Sequence, residues 1–153
     1  VLPSGETMTE SAAILVYLAD HYPSARLAPA SNDPARRQYL RWMFFVSSAI
    51  YALHWIKPDV RRIGAPAKLR GPVVAAIHER IAFCWSHMDS QLTPGRHLLG
   101  DELSVLDLYV AVVSRFGPWR DRFYEAAPRM TAAIQRVDVD PRLSALWTKR
   151  FPQ

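Results

Sequence analysis

The chain has 153 residues, half of them apolar and 11% aromatic, and a net charge of +5. That composition supports a sizeable buried core and excludes disorder over most of the length. A single cysteine, Cys84, excludes an intrachain disulfide and favours a reducing compartment.

The opening residues have neither a basic stretch nor an apolar stretch of the secretory kind. Thr7 to Thr9 reads as a short strand after a Pro-Ser-Gly turn. A helix is predicted over 11–22, with Ile14, Leu15, Leu18 and Tyr22 on its apolar stripe and Pro23 as its stop. Residues 23–33 are rich in proline, alanine and serine and read as a connector.

Everything beyond reads as helix. Asp33-Pro34 is a cap followed by proline at the first helical position, and the helix it opens runs to about Ile56. The run WMFFVSSAIYALHWI inside it falls short of the ~20 residues of a membrane span and is interrupted by Ser47, Ser48 and His54, so it reads as a core helix. A basic loop covers 57–71. The next helix runs over 72–92, with Val74, Ile77, Ile81, Trp85, Met88 and Leu92 on one face. A further helix is predicted over 104–116, ended by Gly117-Pro118. Two shorter ones follow near 128–137 and 141–147. Trp42, Trp85 and Trp147 are available to a shared core.

Two short stretches carry chemical information. In LSVLD, Ser104 and Asp107 have the spacing of a capping box, and Leu103 and Leu108 stand at the ends of its hydrophobic staple. Asp107 is therefore read as a structural cap and not as a catalytic acid. In TES, Ser11 opens a helix after a strand. Free N–H groups there attract an anion, and a hydroxyl adds a donor. Glu10 beside it suits an ammonium group, so the pair suits a zwitterion, although an ordinary helix start explains the same residues. The five histidines lack metal-ligand spacing, so no metal site is expected. Cys84 lies in an apolar helix and is read as an inert thiol. The arginines are dispersed, which makes nucleic acid an unexpected partner.

Taken together, GETMTESAAILVYLADHYP, RWMFFVSSAIYALH and HLLGDELSVLDLYVAVVSRF resemble, in order and spacing, the cytosolic glutathione transferases of bacterial type. The resemblance implies an all-α fold, the C-terminal helical bundle of that family, preceded by a strand-helix remnant of its thioredoxin-like domain. It divides the chain into that remnant at 1–23, a linker at 24–33 and the helical domain at 34–153. It implies glutathione as co-substrate, with Glu10 and Ser11 at its γ-glutamyl end. The electrophile would meet Phe44, Ser48, Tyr51 and Trp55, which share one face at regular helical spacing. Tyr51 is similar in position to a histidine that some bacterial members place near the thiol. A homodimer, no membrane and a cytoplasmic location are expected.

The parent activity would be conjugation of glutathione to small hydrophobic electrophiles. The thiol-activating residue of the family belongs to a segment ahead of Val1, so no catalytic residue is assigned and the chain by itself is expected to be inactive. The strand at Thr7 to Thr9 would lack its sheet partners and should not be independently stable. The competing readings are a non-catalytic binding or assembly module of the same fold and, behind it, a nucleic-acid binder.

Overall fold

The computed structural model describes residues 1–151 and is all-helical. Helix α1 covers Ser11–His21. A long helix follows in three parts: α2, Arg36–Phe45, a π turn over Val46–Tyr51, and α3, Ala52–Ile56. Helix α4 is the longest element, Arg70–Gln91. Helix α5, Val105–Val113, precedes α6, Trp119–Ala126, α7, Pro128–Asp138, and α8, Ser144–Arg150.

Helix α5 is the axis of the bundle. It contacts α1, α2, the π turn and α7, while α4 closes the far side against α6 and α7. Its sequence VLDLYVAVV is apolar nearly all round, as a helix surrounded by others must be. Leu106, Val110 and Ala111 are fully buried. Around them sit Trp42, Met43 and Val46 of the long helix, Ile81 and Met88 of α4, and Met130 and Ile134 of α7. Trp85 meets Phe123 of α6 edge-on at 5.1 Å. Trp147 is buried and donates its indole N–H to the Val137 carbonyl at 3.2 Å, so the three tryptophans do enter one core.

The entry to α5 is built around Asp107. Ser104 and Asp107 form the predicted capping box, and Leu103 and Leu108 both pack against the core. The carboxylate is 0% exposed. It accepts from the Ser104 N–H at 2.9 Å, the Ser104 hydroxyl at 2.7 Å and the Leu98 N–H at 2.8 Å. The last bond fastens the preceding loop as well. One residue into α5, the Val105 N–H reaches back to the Leu27 carbonyl at 2.8 Å and ties the connector to the same point. A second buried carboxylate does a similar task across elements. Asp89 of α4 accepts from the Met130 N–H at 2.9 Å, satisfying a free donor in the first turn of α7.

The structure differs from the sequence-based expectations in four places. No strand forms at Thr7 to Thr9. A strand needs a neighbour for its backbone groups, and among the described residues none lies beside this one. Instead residues 2–6 fold into a tight turn, with the Leu2 N–H bonded to the Glu6 carbonyl at 2.7 Å. Helix α1 docks through Ala12, Leu15, Val16 and Ala19; of the predicted stripe Leu15 alone packs on the core, and Leu18 and Tyr22 are exposed. The helix predicted from Pro34 begins at Arg36, with the Asp33 carboxylate accepting from the Ala35 N–H at 2.8 Å. Finally, α6 follows directly on Gly117-Pro118, where the sequence marks only a break.

Replacing Asp107 by alanine strands three buried donors and should lower the unfolding free energy by about 3 kcal/mol or more. Ser104→Ala removes one partner and should cost about 1 kcal/mol. Urea denaturation of both variants checks the order. Equal losses would show that the carboxylate is no more than an ordinary cap.

Candidate functional site

Helices α1 and α5 and the π turn converge on Ser11. The side chain of Ser11 does not stand free at the helix start, because its Oγ lies 3.1 Å from the phenolic oxygen of Tyr109 on α5. Tyr109 is 4% exposed, and Tyr51 from the π turn packs edge-on against it at 6.2 Å. Two hollows open on either side of this group.

The first, of about 550 Å³, is lined by Glu10, Ser11, Ser47, Tyr51, Ala52, His54 and Trp55. It mixes a carboxylate, hydroxyls, an imidazole and an indole, a lining that can hold both a charged end and an aromatic body of one ligand. The second, of about 320 Å³, is an apolar groove between α1 and α5 that includes Ile14, Leu15, Leu108, Val112 and Phe116. Ser11 and Tyr51 belong to both.

Glu10 is held in an unusual backbone conformation, φ 66° and ψ 105°. A side chain is disfavoured at positive φ, and such strain of roughly 1–3 kcal/mol collects where a site requires it. The strain places Glu10 at the rim of the mixed hollow, immediately before the first N–H groups of α1.

Of the expected electrophile wall, Tyr51 and Trp55 line the mixed hollow, whereas Phe44 and Ser48 do not. The π turn is the reason. A turn closed from i to i+5 holds about one residue more than an α turn, so faces read at α spacing slip out of phase across it. Ser47 takes the position under Tyr51 that regular spacing gives to Ser48. The Ser48 hydroxyl donates to the Phe44 carbonyl at 2.8 Å, on the exposed side of the helix.

His54 also lines the mixed hollow, which spacing alone does not reveal. Its ring stands edge-on to Phe116 at 5.4 Å, and its Nε2 is buried without a partner among the described residues. Burial, and then the neighbouring Lys57 and His78, hold its pKa down to about 4. It is a neutral imidazole at neutral pH. Elsewhere, burial pushes the Cys84 thiol upward, in keeping with an unreactive cysteine. Arg26, Arg36, Arg61, Arg120, Arg122 and Arg142 each pair with a carboxylate, which offsets part of the positive charge. Among the described residues no helix is long and apolar enough to cross a membrane.

The depressed pKa of His54 has a signature in stability. Above pH 6.5 the imidazole is neutral in folded and unfolded chains alike. As pH falls from 6.5 to about 4 the unfolded chain takes up a proton that the folded chain refuses, so stability declines through that window. His54→Phe should flatten the decline in melting temperature between pH 6.5 and 4. Slopes equal in variant and wild type would overturn the assignment.

No family model matches the chain. It is 26% identical over 144 residues to the uncharacterized GST-like protein YncG of Escherichia coli K12, covering 93% of this chain and 67% of that protein. With the glutathione S-transferase GstA of Escherichia coli O157:H7 it shares 22% over 143 residues, covering 94% of this chain and 68% of that protein. Among solved structures, the glutathione transferase homolog from Sulfitobacter with bound glutathione superposes with a TM-score of 0.80 at 27% identity, over 97% of this chain and 71% of that one. A sphingomonad glutathione S-transferase complexed with glutathione gives a TM-score of 0.73 at 28% identity, over 99% of this chain and 72% of that one. Sequence and fold agree with the resemblance drawn from the three motifs: the chain is similar to bacterial glutathione transferases and shares the all-helical architecture of their C-terminal domain.

Proposed function

We propose that the chain binds glutathione through Glu10 and Ser11 and presents Tyr51 and Trp55 to a small hydrophobic electrophile. The observation that carries this reading is the meeting of those four side chains in one hollow, with Glu10 strained into place at its rim. Two of the similar solved structures hold glutathione, which supports the choice of ligand. Residues 1–23 then serve as the glutathione-binding edge, 24–33 as the linker and 34–153 as the helical domain.

In this reading the α-carboxylate of the γ-glutamyl end accepts from the Ser11 hydroxyl and from the first free N–H groups of α1, where the helix dipole also favours negative charge. The ammonium group pairs with the Glu10 carboxylate. Held at that end, glutathione extends its thiol toward the aromatic side chains of the π turn and α3. The reaction is attack of the thiolate sulfur on an electrophilic carbon. A carbon–sulfur bond forms, the leaving group departs with its electron pair, and the thiol proton passes to solvent. The chain's part is to bind and orient. The indole and phenol of Trp55 and Tyr51 supply apolar surface, and the neutral His54 adds no charge to repel an apolar electrophile. We further propose a homodimer with a cytoplasmic role in conjugation. The alternative of a non-catalytic module keeps the same glutathione end and lacks turnover.

The strain at Glu10 gives a test that separates function from folding. Glycine accepts positive φ readily, so Glu10→Gly should raise the melting temperature slightly, by roughly 0.5–1 kcal/mol of stability. It should also weaken glutathione binding about tenfold, because the partner of the ammonium group is gone. Thermal melts and glutathione titration of the same sample decide it. A lowered melting temperature with unchanged affinity would mean that Glu10 serves the fold alone.

A further inference from the structure

The bond between Ser11 and Tyr109 joins residues 98 positions apart in sequence and stands at the meeting point of the two hollows. A serine hydroxyl has one proton to give and two lone pairs to receive, and a phenol has the same inventory but is the more acidic group. Where the two meet, the phenol is the better donor. With the phenol donating, the Ser11 proton is not used inside the pair and is available to a ligand in the mixed hollow. With the direction reversed, Ser11 would spend its only proton on Tyr109 and would repel an anion with its lone pairs.

We propose that Tyr109 is a positioning residue for glutathione: its buried phenol donates to Ser11 Oγ and turns the Ser11 proton toward the carboxylate of the γ-glutamyl end. The inference rests on the reading of Glu10 and Ser11 given above and extends it to a residue that does not touch the ligand. The relay phenol to hydroxyl to carboxylate is a chain of hydrogen bonds in which each strengthens the next. It is anchored on the most buried helix of the molecule. Tyr109 is 4% exposed, and its ring is held by the edge of Tyr51 at 6.2 Å. Its place on α5 is fixed two residues after Asp107, whose carboxylate sets the helix entry. The Ser11 hydroxyl is therefore oriented by a rigid element and does not depend on its own rotamer preference at a helix start.

Tyr109→Phe keeps the ring and deletes the donor. The test is an NMR titration of the 153-residue chain with glutathione, and in parallel with cysteinylglycine, which lacks the γ-glutamyl end. Wild type, Tyr109→Phe, Ser11→Ala, the double variant and Ser11→Thr with and without Tyr109→Phe are compared, each with a thermal melt. Tyr109→Phe should weaken glutathione binding about fivefold, the scale of one hydrogen bond. It should leave cysteinylglycine unaffected and add nothing once Ser11 is alanine. Ser11→Thr, which retains a hydroxyl, should retain the sensitivity to Tyr109→Phe. Wild-type affinity in Tyr109→Phe, with a loss in Ser11→Ala, overturns the inference and leaves the glutathione reading standing. Wild-type affinity in Ser11→Ala, or no glutathione-dependent shift near Ser11 in the wild type, removes the reading and the inference together. Equal weakening of both ligands, or an added loss in the double variant, marks a general disturbance of packing and also overturns the inference.

Discussion

The buried carboxylate of Asp107 is the constraint on which the arrangement depends. A charge fully removed from water is tolerated only when its oxygens are well supplied with donors, and three close around it. Those donors come from the loop before α5 and from the helix entry itself. Satisfying one carboxylate thus fixes the direction of α5 and the path of the chain that leads into it. The connector joins at the neighbouring residue through Val105 and Leu27. With α5 fixed, the flanking helices have a single apolar axis to pack against, and Tyr109 has one place to put its phenol.

The candidate site follows from that axis. Two elements far apart in sequence reach α5 from different sides, α1 through small residues and the π turn through Tyr51, and α5 meets them with Tyr109. Ala12 and Ala19 let α1 approach closely enough for a serine hydroxyl at its start to bond a tyrosine on the partner helix. The hollows lie where this packing changes from close to open. Their lining differs for the same reason. One lies between two apolar helix faces, and the other lies at a helix start, where backbone donors and charged side chains remain uncovered.

Much of the architecture was legible in the sequence because it rests on local rules. The capping box, the staple, the proline stops and the 3.6-residue periodicity of α4 each specify structure within a few residues, and the structure follows them. What the sequence did not reveal depends on distant partners. The docking face of α1 was misread because the helix carries two apolar stripes, and only the position of α5 decides between them. The Ser11–Tyr109 bond and the capping of α7 by Asp89 of α4 have no local signature at all. At the candidate site, Glu10, Ser11, Tyr51 and Trp55, singled out from motif and spacing, line one hollow. Phe44 and Ser48 fall outside that hollow, whereas Ser47 and His54 line it and Tyr109 bonds Ser11 beside it, none of the three anticipated from spacing. A signal for Tyr109 did exist, since a tyrosine buried on a central helix must find a partner for its hydroxyl.

The π turn also bears on how sites of this kind can diversify. A turn of that type is one residue away from a regular helix, so losing a single residue between Val46 and Tyr51 would restore ordinary winding. That loss would leave the segment beyond facing as it does now, because the turn already absorbs the extra residue. Rewinding the turn as α with every residue kept would instead rotate that segment by about 100° relative to α2, the angle one residue subtends in an α-helix. On such rewinding Tyr51, His54 and Trp55 would swing away from Ser11 together, while α2 and its core tryptophan stayed in place. The winding of this one turn therefore decides which side chains of α3 face the mixed hollow and which pack on the core, a larger change than any point substitution along the same face.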